Sequence, residues 1–444
     1  MRRDLGIYIH IPFCIKKCSY CDFNSYSNME GIFNEYAEAV KKEISLFSPA
    51  MKDYEGISIF FGGGTPTVLE PWQLLYILDL CKRTFNLKFD SEITIEANPE
   101  TLTIDKLRKL RDAGFNRISI GIQSFHDKLL KRLGRIHDSK KAYGQVISAR
   151  DAGFENISID LMFGIPDETL RDWESDIETA IKLNIGHIST YNLTIEKGTP
   201  FEKLYSEDKA LHYLPDEDKQ LEMYEKGIEL LISAGYEHYE ISNFVKACSE
   251  RSESNGRKCL HNQIYWRNEE YIGIGAGAYS YINGERRWNV KNPTEYIKAV
   301  KSEEFRVKRE KTQTSKLIQG SERLDCKKVM GETIMMWLRI IDGINLQSFK
   351  NRFDIEIQSA FPSAISKLLD KGLITFGRPP LNPSPLCKGG LRGVKAGVMR
   401  DSSPPYDLST SPGVEKGWFD NGNLRLTHKG LLFYNDVAAE FLWV

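Results

Sequence analysis

From Leu5 to about residue 280, short β-branched runs alternate with longer amphipathic stretches. This alternation constrains the fold more than any other feature of the chain. Leu5–Ile11, Ile57–Phe61, Glu92–Glu96, Arg117–Ile122, Ser158–Met162 and His187–Tyr191 read as strands. Helical periodicity fills the gaps at Phe33–Phe47, Trp72–Phe85, Asp105–Ala113, Lys140–Ala152, Leu170–Leu183 and Asp216–Ala234. Several of these stretches end at a glycine (Gly114, Gly153, Gly186, Gly235), as helices commonly do. Strand–helix repetition at this spacing calls for parallel strands joined by right-handed crossovers. A full or partial α/β barrel closes such a chain; a doubly wound open sheet is the competing solution.

In barrels of this kind chemistry gathers where strands end and the following loops begin. Cys14, Cys18 and Cys21, a C-x3-C-x2-C loop, follow the first strand. Gly62-Gly63-Gly64-Thr65-Pro66 follows the second, and Glu96-Ala97-Asn98-Pro99 closes the third. Gly121-Ile122-Gln123-Ser124 closes the fourth, and Asp160 lies in the fifth. Three thiolates on one tight loop can converge on an inorganic centre. A four-iron cube takes four ligands, so three cysteines leave one iron open to a small molecule. A zinc site with a fourth ligand from elsewhere is the alternative for the bare spacing. The glycine run allows a ligand close to the backbone, or simply makes a sharp turn. Glu96 and Asp160, placed in apolar strands, need a cationic or hydroxyl partner, whether ligand or barrel lysine or arginine. Gln123 and Arg135 carry donors suited to a carboxylate. Together these groups outline a pocket for an amino acid joined to a nucleoside.

The rest of the chain bounds these readings. Formal net charge is −1 over 444 residues, which gives no reason to expect nucleic-acid binding through bulk charge. No apolar run reaches the roughly 18 residues a membrane span needs, and Met1-Arg2-Arg3-Asp4 opens without a secretory signal. The uneven cysteine spacing is no disulfide framework and fits a reducing cytoplasm. Beyond residue 235, Glu237–Ile241 and Tyr271–Ile274 read as strands around a polar loop at 247–257, followed by His261-Asn262-Gln263-Ile264-Tyr265-Trp266. Residues 311–376 are mainly helical. A Pro- and Gly-rich break at 377–417 reads as a disordered insertion. A strand at Asn423–Thr427 and a helix at Lys429–Leu442 follow it. The expected division is 1–305 and 306–444, the second part a small winged-helix-like α+β domain whose role is structural support.

Tyr8-Ile9-His10-Ile11-Pro12-Phe13-Cys14, the cysteine triplet, Gly62–Pro66, Ile95–Pro99 and Ser119–Ser124 resemble a radical S-adenosylmethionine protein. Within that superfamily they are similar to the oxygen-independent coproporphyrinogen III oxidase group. The resemblance implies a partial (β/α)6 barrel. It implies a [4Fe-4S] cluster on Cys14, Cys18 and Cys21, with S-adenosylmethionine at the open iron. It implies that Tyr8, Gly63, Gly64, Thr65, Glu96, Gln123, Arg135 and Asp160 contact S-adenosylmethionine, of which one or two copies bind. Reductive cleavage of the cofactor would release a 5′-deoxyadenosyl radical, with the barrel orienting it and excluding water and oxygen.

Two functions follow from that group: decarboxylation of coproporphyrinogen III, or heme binding and transfer by the HemW-type heme chaperone branch. Three features favour the chaperone. The oxidase loop continues to a fourth cysteine, where this chain has Phe23. The chain begins thirteen residues before its first cysteine, without the oxidases' covering arm. His261–Trp266 matches the H-N-x-x-Y-W signature of the chaperone branch. His261 is thereby a candidate heme ligand, with Cys259 a weaker one; a core-packed strand edge is the structural alternative for the hexapeptide. Expected partners are heme or a porphyrin and heme-acceptor proteins, some of them membrane-associated.

Overall fold

A computed structural model describes residues 2–47, 51–205, 213–247, 257–306, 316–377 and 422–442. They form two compact units, 1–339 and 340–444. Strand β12 (Ile318–Arg323) and the helix Cys326–Trp337 lie beyond the 305/306 division read from the sequence. They belong to the first unit, where β12 pairs with β11 (Glu285–Asn289) and Thr333 Oγ1 accepts from Asn268 Nδ2 at 3.0 Å.

The first unit is built on β1 (Arg3–Ile11), β2 (Tyr54–Gly63), β3 (Leu87–Ala97), β4 (Arg117–Gln123), β5 (Asn156–Phe163) and β6 (His187–Asn192). They are parallel and lie side by side in chain order. This order decides between the two architectures. Crossovers of one hand that always step in one direction put every helix on the same face, whereas a doubly wound sheet must reverse its strand order. The sheet continues from β6 into the antiparallel β8 (Asn243–Lys246) and β7 (Tyr236–Glu240). Beyond β1 it continues into β9 (Tyr271–Ile274), β10 (Tyr279–Ile282), β11 and β12. The barrel is therefore partial: six βα units, extended beyond β6 by an antiparallel pair and beyond β1 by the parallel β9 and then antiparallel strands.

Local sequence explains the elements. In β1, Ile7, Ile9 and Ile11 are fully buried on one side, while Tyr8 and His10 alternate onto the other. Thr103, Asp138, Thr169 and Asp216 each cap a crossover helix by accepting from the backbone N–H three residues on. Helix α1 (Phe33–Phe47) is bound to the β9–β11 margin through the buried Glu43. That carboxylate accepts from Tyr296 (2.6 Å), Asn289 (2.7 Å) and the Gly275 amide (2.8 Å). Burial outweighs these donors and raises Glu43 from 4.5 to about 7. A carboxyl whose folded pKa lies above its unfolded value adds stability that is complete below about 4.5 and gone above about 7. Glu43 should therefore contribute about 3 kcal/mol at pH 4.5 that is lost by pH 8, from 1.36 kcal/mol per unit. Glu43→Gln is expected to flatten this limb of the stability–pH curve; an unchanged slope in urea unfolding between pH 5 and 8 would count against it.

The second unit contains a three-stranded antiparallel sheet, β13 (Ile344–Asn345), β15 (Asn423–Leu426) and β14 (Ile374–Gly377), in the order 13-15-14. The helices Leu346–Phe353, Pro362–Asp370 and Tyr434–Leu442 accompany it. The α+β composition expected of this region is met. The polar loop and the Pro- and Gly-rich insertion lie, apart from their ends, outside the described residues.

Candidate functional site

The cysteine loop is held at both limbs and at its tip. Cys14 N–H donates to Tyr26 O and Tyr26 N–H to Pro12 O, closing the base. Ser19 sits at the tip between two other elements, its N–H donating to Leu133 O and its carbonyl accepting from Phe201 N–H. Lys17 Nζ donates across the loop to Phe23 O (2.9 Å) and Ser25 O (3.2 Å). The returning limb is fastened by Asn24, whose amide donates to Ala276 O and Lys291 O. Its carbonyl lies 2.9 Å from His10 Nε2, which must therefore carry the proton. His10 Nδ1 then accepts from the Tyr8 hydroxyl at 3.0 Å. Burial lowers His10 to about 4, so this bridge stays neutral at ordinary pH.

Cys14, Cys18 and Cys21 line one cavity together with Gly63, Gly64, Glu96, Gln123, Arg135 and Asp160. Nine of the residues expected at a cofactor site thus meet at the ends of β1 to β5. Thr65 stands just behind, donating to Cys14 Sγ at 3.6 Å. Arg135, in the loop after the helix Asp127–Leu133, donates to Cys18 Sγ at 3.4 Å and to Asn98 Oδ1 at 2.7 Å. Asn98 in turn donates to Thr65 Oγ1 at 2.8 Å. Asn98, Ser119 and Tyr20 also line the cavity and were not singled out from the sequence as site residues; the Ala97-Asn98-Pro99 strand end was the signal for the first. Gln123 takes a left-handed φ of +73°, a conformation non-glycine residues hold only where the surroundings impose it.

Two carboxylates face this space. Burial, then the charge of Asp160, raises Glu96 to about 7 against the pull of the Gly63 amide at 3.1 Å. Burial raises Asp160 as well, opposed by Arg117 and by the Ser119 hydroxyl at 3.2 Å. Two acids held above their usual range favour a ligand that brings positive charge, such as an ammonium or sulfonium group. Among the described residues no three His, Cys, Asp or Glu side chains are gathered tightly enough for a single metal ion. Three thiols on one loop, all lining one cavity, would fit a four-iron cube with one iron left open. Their donors and the buried, unpartnered Arg135 Nε fit an anionic sulfur-rich group. Phe23 also lines the cavity and is 65% exposed.

Two expected site residues lie elsewhere. Tyr8 is absent from the cavity wall; its ring stacks 6.2 Å from Phe60, and its hydroxyl serves His10. His261 is 1% exposed on α9 (Leu260–Trp266), so the hexapeptide is a helix and not a strand edge. Its Nδ1 is hydrogen-bonded to Ser58 (2.8 Å) and its Nε2 to Tyr265 (3.0 Å), leaving neither nitrogen available to iron in this arrangement. Burial lowers it to about 3. The helix is bound at its start by Glu92, which accepts from the Leu260 and His261 amides, and at its end by Trp266 donating to Glu240. Cys259 is equally buried, its thiol directed at Glu92.

This geometry agrees with what the chain resembles. Residues 8–180 match the Radical SAM superfamily and residues 324–378 the HemN C-terminal domain. The fold is similar to that of coproporphyrinogen III oxidase (HemN) from Escherichia coli, with a TM-score of 0.74 at 20% identity, covering 100% of this chain and 91% of that one. The sequence is 38% identical over 370 residues to the heme chaperone HemW of Bacillus subtilis (strain 168), spanning 83% of this chain and 92% of the relative. It is 40% identical over 279 residues to HemW of Escherichia coli (strain K12), spanning 63% and 70%. The chain belongs to the HemW family of the radical SAM superfamily. No helix among the described residues is long and apolar enough to cross a membrane.

Proposed function

We propose that this protein is a cytoplasmic heme chaperone that holds a [4Fe-4S] cluster and S-adenosylmethionine and passes heme to acceptor proteins, some of them at the membrane. The observation that carries the reading is the cavity at the strand ends, where three thiols open beside two raised carboxylates and Phe23 stands two residues beyond Cys21. Cys14, Cys18 and Cys21 would hold the cluster. Gly63, Gly64, Thr65, Glu96, Gln123, Arg135 and Asp160 would receive S-adenosylmethionine, its ammonium and sulfonium charges answering the two acids. Tyr8 would act through His10, to which its hydroxyl donates, and not from the cavity wall. When bound, the cluster supplies the electron that a radical SAM reaction requires.

His261 is carried in this reading as the candidate axial ligand of heme iron, which requires α9 to release Ser58 and Tyr265. For His261→Ala the expected result is a hemin complex with a displaced Soret maximum. An unchanged spectrum moves the ligand elsewhere. The function itself is tested on anaerobically reconstituted protein offered coproporphyrinogen III in one assay and hemin in another. Stoichiometric hemin binding without turnover is expected, and catalytic formation of protoporphyrinogen IX would establish the oxidase reading instead.

A further inference from the structure

We infer that all three cavity thiols receive hydrogen-bond donors from the surrounding chain, and that the one charged donor among those at the sulfurs, Arg135, sets how readily a bound cluster accepts an electron. This rests on the cluster reading above. Thr65 Oγ1 lies 3.6 Å from Cys14 Sγ, Arg135 Nη1 3.4 Å from Cys18 Sγ, and Ser25 Oγ 4.0 Å from Cys21 Sγ. The three donors come from three places: the loop after β2, the loop after the helix Asp127–Leu133, and the returning limb of the cysteine loop itself.

Arg135 is positioned with particular care. Its second nitrogen is shared between Asn98 Oδ1 and Gly121 O, which fixes the guanidinium against the ends of β3 and β4. The preceding Gly134 has φ +77°, and a Cβ there would lie 2.8 Å from Ser19 Oγ, one residue beyond Cys18. The arginine thus approaches the cysteine loop from a left-handed residue that glycine adopts at no steric cost.

Reduction adds one electron to the cluster, and part of that charge falls on the thiolate sulfurs. Donors aimed at sulfur stabilise the reduced form more than the oxidised form and raise the potential. A charged donor does so more strongly than a hydroxyl. The expected order of influence is Arg135, then Thr65, then the more distant Ser25. No bond is made or broken in this step. The electron comes from a low-potential one-electron donor, dithionite in the test.

The test is an EPR-monitored redox titration of reconstituted full-length protein without S-adenosylmethionine, which reads only cluster-loaded molecules. Arg135→Gln is expected to shift the midpoint to a more negative potential, Thr65→Val to shift it less and Ser25→Ala least. Arg135→Lys, which keeps the charge, should recover part of the shift. At equal iron and sulfide content, an unmoved or more positive midpoint for Arg135→Gln overturns the inference and leaves the cluster reading intact. A wild-type protein that takes up no four-iron cluster overturns both. Should Arg135→Gln fail to load, Arg135→Lys and Thr65→Val decide the matter, and wild-type midpoints in both overturn the inference.

Discussion

Alanine at Cys14, Cys18 or Cys21, one at a time, is expected to reduce iron and sulfide in the reconstituted protein from about four each per chain to a small residue. Each thiolate would hold a different iron, so losing one opens a second corner of the cube to solvent and to oxygen. The variants should otherwise fold. All three cysteines are only half-buried, and none belongs to the apolar core. Unfolding free energies should stay within about 1 kcal/mol of wild type, the range expected for substitutions outside packed regions. Full iron and sulfide in all three variants would remove the cysteines from the site. A colourless, air-stable metal centre in the wild type would return the loop to zinc.

The second large effect is expected at Gly63. Its φ is +111°, and a Cβ built there would lie 2.4 Å from His10 Cε1. His10 has no room to yield, since both ring nitrogens are engaged, by Tyr8 and by the Asn24 carbonyl that anchors the cysteine loop. Gly63→Ala therefore combines backbone strain with overpacking, each worth about 1–3 kcal/mol. A loss of about 4 kcal/mol in urea unfolding, together with loss of the cluster, is expected. The same change at Gly144 should act in the opposite sense. That residue lies inside the helix Ser139–Asp151, with nothing within 4 Å of an added Cβ. Alanine there should add about 0.5–1 kcal/mol through helix propensity. Equal behaviour of the two variants would count against the contact at His10.

The parallel strands and most of the crossover helices were legible because β-branched residues recur at every second position of short runs, as Ile118, Ile120 and Ile122 do in Arg117–Gln123. The chemistry at their ends was legible for a related reason: Gly62-Gly63-Gly64 and Ala97-Asn98-Pro99 break those runs where a loop turns over the sheet. The margins were harder. Asn243–Lys246 and Tyr279–Ile282 are four residues long with a single β-branched residue each, whereas the equally short Tyr271–Ile274 carries two. In the hexapeptide at His261, His, Asn, Tyr and Trp are weaker helix formers, and the conformation here is supported by Glu92 and Glu240 at its two ends. Nor does any local pattern reveal that Arg135 reaches back to Cys18 across 117 residues. That pairing comes from topology, which brings the ends of consecutive strands to one rim.

The placement of β1 has a consequence for biogenesis. This strand pairs with β2 on one side and, on the other, with β9, which begins only at Tyr271. The limb of the cysteine loop that follows it is tied by Asn24 to Ala276 and Lys291. The cysteines are made well before β9, yet the frame that fixes them needs β9 and the residues up to Lys291. The frame around the thiols is therefore complete only once the chain has been made as far as Lys291. On the proposed cluster reading, delivery to a framed loop would be a late event in the life of the chain, and the three sulfurs would have to stay reduced in the interval.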